Sequence, residues 1–318
     1  MNELRIHRTT SPDGTEIAAR VHGRGPPLVL VPAGPGDAET TWRHALPILS
    51  ERFTCYLLNT RGRGLSGDHP DHSPERLVED ITAFVDSVGE PVGLVEWGSF
   101  VGAGWSLFAS RRTSAVRAIA SYDPLVLEVA PEEDAQRLEA VFERVGGLAG
   151  EGRLAEAARS FVSGLAEHGY YTEEDMADGA TTEFWSASTD NIPMFFGEMD
   201  RAHEEEKPNP ADPSTLNAIR VPVLLLHGAR SHPMNIDFVH YMAEHLSDAH
   251  VREIPGAGHY GPHTHPEDVA REVMGFFEGV GHTGGTSGAH KRSTRRLEAE
   301  GRNRTLPPGG EVVPPGLP

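Results

Sequence analysis

Four side chains in this 318-residue chain have the chemistry to move a proton and form a covalent bond: the Ser99 hydroxyl, the Glu96 and Asp123 carboxyls, and the His259 imidazole. His259 closes the small-residue run Gly256-Ala257-Gly258-His259. An imidazole titrates ordinarily near neutrality, so it can take a proton and return it. A hydroxyl or carboxylate beside such a base can act as a nucleophile, and a further carboxylate would orient the ring and stabilise its charged form. His263 and His265 follow in the same loop, but no carboxylate or cysteine at metal-ligand spacing accompanies them. Neither a metal nor any other cofactor is therefore expected.

These groups are far apart in sequence and need a scaffold. Short apolar runs at Leu28–Val31, Cys55–Leu58, Val92–Val95, Val116–Ser121 and Val221–Leu226 read as strands buried on both faces, with helical patterns between most of them. That alternation predicts an α/β protein with a doubly wound, mostly parallel sheet. Arg5–Thr9 and Glu16–Val21, joined by the turn Ser11-Pro12-Asp13-Gly14, predict an opening hairpin. Between Tyr122 and Val221 the rhythm breaks. Helical spacing over Ala135–Val145 and Leu154–Leu165 predicts an inserted helical cap, with Phe184, Trp185, Met194, Phe195 and Phe196 as large side chains for a pocket roof. The expected organisation is a core in two parts, 1–124 and 219–280, a cap over 125–218, and a disordered Gly/Ser/Pro-rich tail over 281–318.

Composition narrows the partners. A formal net charge of -19 disfavours a nucleic-acid surface, which needs concentrated positive charge. No apolar run is long enough for a bilayer span or a signal peptide, and Cys55, the single cysteine, cannot form an intramolecular disulfide. The expectation is a cytoplasmic protein acting on a small molecule, with no nucleic-acid or membrane partner; the sequence does not set the oligomeric state.

Four landmarks resemble the α/β-hydrolase superfamily over most of the chain, from about Asp13 to Val280. Val31-Pro32-Ala33-Gly34-Pro35-Gly36 resembles the HGGPG loop of its proline-iminopeptidase-like branch, with Pro32 and Ala33 in place of His and Gly. Asn59-Thr60-Arg61-Gly62-Arg63-Gly64-Leu65-Ser66 resembles the DxRGxGxS turn, with Asn59 in place of Asp. Leu94–Gly102 lies where the family places its nucleophile elbow, but Trp97 and Val101 stand at the usual glycines. The segment from Val251 through His259 to Val269 resembles the loop that carries the catalytic histidine.

The resemblance implies His259 as base, backbone N–H donors from Phe100 and from Ala33 or Gly34 as an oxyanion hole, and a pocket that includes Trp97, Trp185 and Phe195. Two residues compete as nucleophile. Glu96-Trp97-Gly98-Ser99 is similar to the Asp-Trp-Gly elbow of haloalkane dehalogenases and epoxide hydrolases, whereas the usual distances from Asp80 and to Val116 both land on Ser99. Ser231 stands where the family's acid belongs, and Asp123, before the cap, is at the place some branches use instead. The favoured expectation is a serine-type hydrolase of an ester, lactone or amide-like bond in a small apolar substrate. An epoxide hydrolase or dehalogenase using Glu96 is one alternative. A non-hydrolytic member, binding a small molecule or using His259 as base in cofactor-free lyase or oxygenase chemistry, is another.

Overall fold

The computed structural model describes residues 5–32, 34–98, 102–126, 129–177, 184–186, 189–195 and 212–283. Eight strands form one sheet in the order β1-β2-β4-β3-β5-β6-β7-β8. β1 (Arg5–Thr10), β2 (Glu16–Gly23) and β4 (Thr54–Asn59) pair antiparallel in succession. From β4 onward all neighbours are parallel: β3 (Pro27–Val31), β5 (Val92–Trp97), β6 (Val116–Tyr122), β7 (Val223–Gly228) and β8 (Ala249–Ile254). Every residue of β3, β5 and β7 is buried, which accounts for their continuous apolar character in sequence. This is the α/β-hydrolase fold, with a helical region inserted between β6 and β7. The opening hairpin appears with the expected turn, closed by Ser11 and Thr15.

The helices begin at α1 (Ala38–Trp42), α2 (Leu46–Leu49), α3 (Pro74–Val88) and α4 (Gly102–Arg112). In α3, Leu77, Val78, Ile81, Phe84 and Val85 fall on one stripe of a 3.6-residue repeat and are buried. Pro74 sits in its first turn, where a missing N–H costs nothing, and Gly89 ends it at φ +81°. The inserted region contains α5 (Glu132–Gly150), α6 (Leu154–Glu167) and α7 (Glu173–Ala177), helical turns at 184–186 and 192–195, and α8 (Pro213–Asn217). α5 and α6 pack through Val141 against Gly164, where a Cβ would lie 2.9 Å from a Val141 methyl. The chain then continues through α9 (Pro233–His245), α10 (Gly261–Thr264) and α11 (Pro266–Thr283). α11 thus runs past Gly279, where the composition changes; the rest of the tail lies outside the described residues. Among the described residues no helix is long and apolar enough to cross a membrane.

Because β3, β5, β6 and β7 run in parallel, their C-terminal ends share one edge, and the loops that leave them meet there. The turn after β4 supports this edge. Arg61, fully buried, grips Asp80 with two hydrogen bonds of 2.7 Å and Asp13 with one of 2.8 Å. This anchors Arg63, whose Nη1 donates to the Gly34 carbonyl at 2.6 Å and so holds the loop after β3.

Candidate active site

The end of β6 brings Asp123 to His259. The His259 Nδ1 lies 3.0 Å from Asp123 Oδ2, the carboxylate being fully buried and the imidazole 14% exposed. A carboxylate at that distance places the proton on Nδ1 and leaves the Nε2 lone pair able to accept another. Asp123 sits at φ +47°, the positive φ of a non-glycine residue among those described, and its N–H donates to Leu226 O at 2.7 Å. Holding an aspartate in that region costs about 1–3 kcal/mol, which the surrounding contacts must offset. Gly98 permits the crowding, since a Cβ there would lie 1.7 Å from the Asp123 carbonyl oxygen.

Two further donors converge on the same oxygen of Asp123. The Ser231 hydroxyl reaches Oδ2 at 2.8 Å and the Asn235 amide at 3.2 Å. Asn235 Nδ2 is also 3.3 Å from His259 Nδ1, but with the ring proton on Nδ1 both atoms are donors, so its hydrogen goes to the carboxylate. Neighbouring β6 and β7 explain the meeting: Tyr122 pairs with Leu226, so the turn carrying Ser231 leaves the sheet beside Asp123.

The inserted region holds the histidine loop from the other side. Asp175 of α7 is fully buried; its Oδ2 accepts from Thr172 N at 2.8 Å and its Oδ1 from Tyr260 N at 3.2 Å. Tyr171 stacks on His259 at 5.9 Å and 21°. From within the core, Trp97 donates its indole N–H to the His259 carbonyl at 3.0 Å, and Tyr122 its hydroxyl to Gly258 O at 2.6 Å. A partly open cavity lies beside the imidazole, lined by Gly34, Pro35, Gly98 and the rings described below.

Residues 28–272 match the alpha/beta hydrolase family. The chain belongs to the alpha/beta hydrolase family. Among curated proteins, it is 31% identical over 80 residues to a pyrrolizixenacetamide deacetylase of Xenorhabdus hominickii, covering 25% of this chain and 29% of that protein. It is 38% identical over 72 residues to an N-formylmaleamate deformylase of Pseudomonas putida, covering 22% and 26%. The matches thus span less than a third of either relative. An alpha/beta hydrolase of Sphaerobacter thermophilus superposes with a TM-score of 0.64 at 23% identity, over 85% of this chain and all of that one.

Within this family member, the sequence-derived candidates fall into three groups. His259, Asp123, Trp97, Gly34, Trp185 and Phe195 meet around the cavity or its base. Ser99, Phe100 and Ala33 lie outside the described residues, as does Phe196. Glu96 is not brought to His259. Successive residues of a strand face opposite sides of a sheet, and while Trp97 packs on the His259 and His263 rings, Glu96 is buried toward Ser106 of α4 and Ser121 of β6. Those hydroxyls face its carboxyl without closing a short hydrogen bond, and burial pushes its pKa up to about 8. His263 is spent on structure, its Nε2 lying 2.9 Å from Thr41 O and 3.1 Å from Thr40 O.

Asn235, Asp175, Tyr171, Phe161 and Tyr260 were not among the sequence candidates. Tyr260 adjoins His259 and was open to inspection. Asp175 follows Glu173-Glu174 and reads in sequence as one more solvated acid of a helix start.

Proposed function

We propose that this protein is a serine-type hydrolase of an ester, lactone or amide-like bond in a small, apolar substrate. The observation that carries this reading is the His259 Nδ1–Asp123 Oδ2 hydrogen bond of 3.0 Å at the base of an aromatic cavity. In this scheme Ser99, which follows Gly98 directly, attacks the carbonyl carbon while its proton passes to His259 Nε2. Asp123 keeps the ring in the productive tautomer and stabilises the imidazolium. N–H groups of Phe100 and of Ala33 or Gly34 receive the oxyanion. The imidazolium protonates the leaving group, and water, deprotonated by His259, then cleaves the acyl-enzyme. No cofactor enters these steps.

The deacetylase and deformylase among the relatives both act, by name, in removing acyl groups, which supports acyl transfer as the reaction class. Glu96 is a poor nucleophile in this arrangement, being turned to the α4 side of β5 with its proton retained at neutral pH. We assign residues 125–218 the role of a cap, because Phe161, Tyr171, Trp185 and Phe195 from this stretch form much of the cavity wall. A fluorophosphonate probe tests the reading: labelling is expected in the native protein and lost in Ser99→Ala. Equal labelling of the two, or none of the native protein, would overturn it.

A further inference from the structure

Three groups that carry hydrogen-bond protons, the Trp185 indole and the Tyr260 and Tyr171 phenols, meet at one wall of the cavity. The Trp185 indole can only donate, and its N–H reaches the Tyr260 hydroxyl oxygen at 2.6 Å. The Tyr171 and Tyr260 rings meet edge-on at 5.1 Å and 80°. The three residues bring one N–H and two O–H groups. The indole bond uses the indole proton and a lone pair of Tyr260, so whichever way the phenols turn at least one phenol proton is left over. Burial raises both phenols above their ordinary range, so both keep their protons.

Away from His259 and the Gly34 and Gly98 backbone, the other described side chains of the wall offer carbon. Trp97 Nε1 is committed to the His259 carbonyl, and Phe161, Phe184 and Phe195 have no polar tip. Among the described residues that line the cavity there is no Asp, Glu, Lys or Arg. Aromatic walls reward a flat ring placed edge-to-face or offset against them. A buried donor without an acceptor costs free energy that a ligand acceptor returns. Aromatic cages also attract cations, but a phenol donor in search of an acceptor does not favour one.

We propose that the cavity takes an acyl group built on a flat, uncharged ring bearing one hydrogen-bond acceptor, and that a spare phenol proton of the Tyr260 and Tyr171 pair reads that acceptor. Turnover of such a substrate rests on the serine-hydrolase reading; binding of the ring does not.

The test compares p-nitrophenyl esters of phenylacetic acid, the three pyridylacetic acids and a trimethylammonioacetic acid, in mildly alkaline buffer where pyridines are uncharged. At least one pyridyl isomer is expected to exceed the phenyl ester in kcat/KM by about tenfold. That ratio should fall to near one in Tyr171→Phe/Tyr260→Phe and persist in Trp185→Phe, where the two phenols still have a proton to spare. A phenyl or cationic ester ranked first, or a ratio that survives in the double variant, overturns the proposal. Should the double variant fail to fold, the ranking by the native protein still decides. Tryptophan fluorescence titrated with the uncleaved pyridylacetones and phenylacetone separates the two readings. Preferential pyridyl binding without cleavage of any ester sinks the hydrolase assignment and keeps this one, whereas cleavage without ring preference does the reverse.

Discussion

The Ser231 hydroxyl donates to Asp123 Oδ2 at 2.8 Å while accepting from the Gly228 N–H at 3.0 Å. A serine has one proton, so a backbone donor on its lone pair leaves that proton for the carboxylate. The residue at the family's usual acid position thus braces an acid supplied by the neighbouring strand. Replacing it with alanine removes one charge-assisted bond from a fully buried carboxylate. Ser231→Ala is expected to lower kcat/KM about 10-fold and to destabilise the fold by about 1–3 kcal/mol. Steady-state kinetics on an activated ester and urea unfolding measure the two effects; unchanged values for both would remove Ser231 from the network.

The same proximity permits a transfer of role. Asp123→Ser is expected to lower kcat/KM by about 10³-fold or more, the scale of losing the orienting acid in a triad. A second change, Ser231→Asp, returns a carboxylate within reach of His259 and should recover at least about 10-fold of that loss. If the double variant were no faster than Asp123→Ser, the two positions would not be interchangeable supports for the ring.

Glu96 makes stability depend on pH. Folded, its carboxyl keeps its proton up to about 8; unfolded, it releases it near its ordinary 4.5. Between those values the native state binds more protons than the unfolded one, so stability is full below the window and falls as pH rises through it. Glu96→Gln cannot ionise. Its unfolding free energy should be flatter over this window and exceed that of the native protein at the alkaline end by roughly 3–5 kcal/mol. Parallel pH slopes for the two proteins in denaturant titrations would show that Glu96 is not the group responsible.

Asp175 joins the inserted region to the histidine loop. Asp175→Ala leaves the Tyr260 and Thr172 N–H groups without their carboxylate acceptor and should cost about 2–4 kcal/mol, since both bonds are to a charged, buried group. Hydrogen exchange at the Tyr260 amide should quicken accordingly, while Asp175→Asn, which keeps one acceptor oxygen, should show a smaller change. Exchange at Tyr260 no faster than in the native protein would contradict the link.

Much of this arrangement was open to reading in the sequence, and the rest was hidden for definite reasons. The parallel strands were visible because a strand covered on both faces has no polar alternation, as β3 and β7 show. His259 stood out through its small neighbours, and Asp123 through its place after a strand. The bond between Asp123 and Ser231 was not legible, because it depends on β6 and β7 lying side by side, and strand order is not written in local pattern. Glu96 offered a signal that goes with period two: if Trp97 faces the histidine loop, its predecessor in the strand must face away. Asp175 and Asn235 carried none, since an acidic helix start and an asparagine in a first turn look the same whether exposed or buried.

Two of the bonds that cross from the inserted region end on the Tyr260 main chain and phenol, beneath the exposed pair of Glu174 and Arg230 at its rim. An outward swing of this segment would therefore unseat the imidazole's own mounting, so selectivity and catalytic power are mechanically yoked. A chimaera that borrowed the segment from a relative would exchange both at once, unless it also brought along the carboxylate and the indole that fasten the loop.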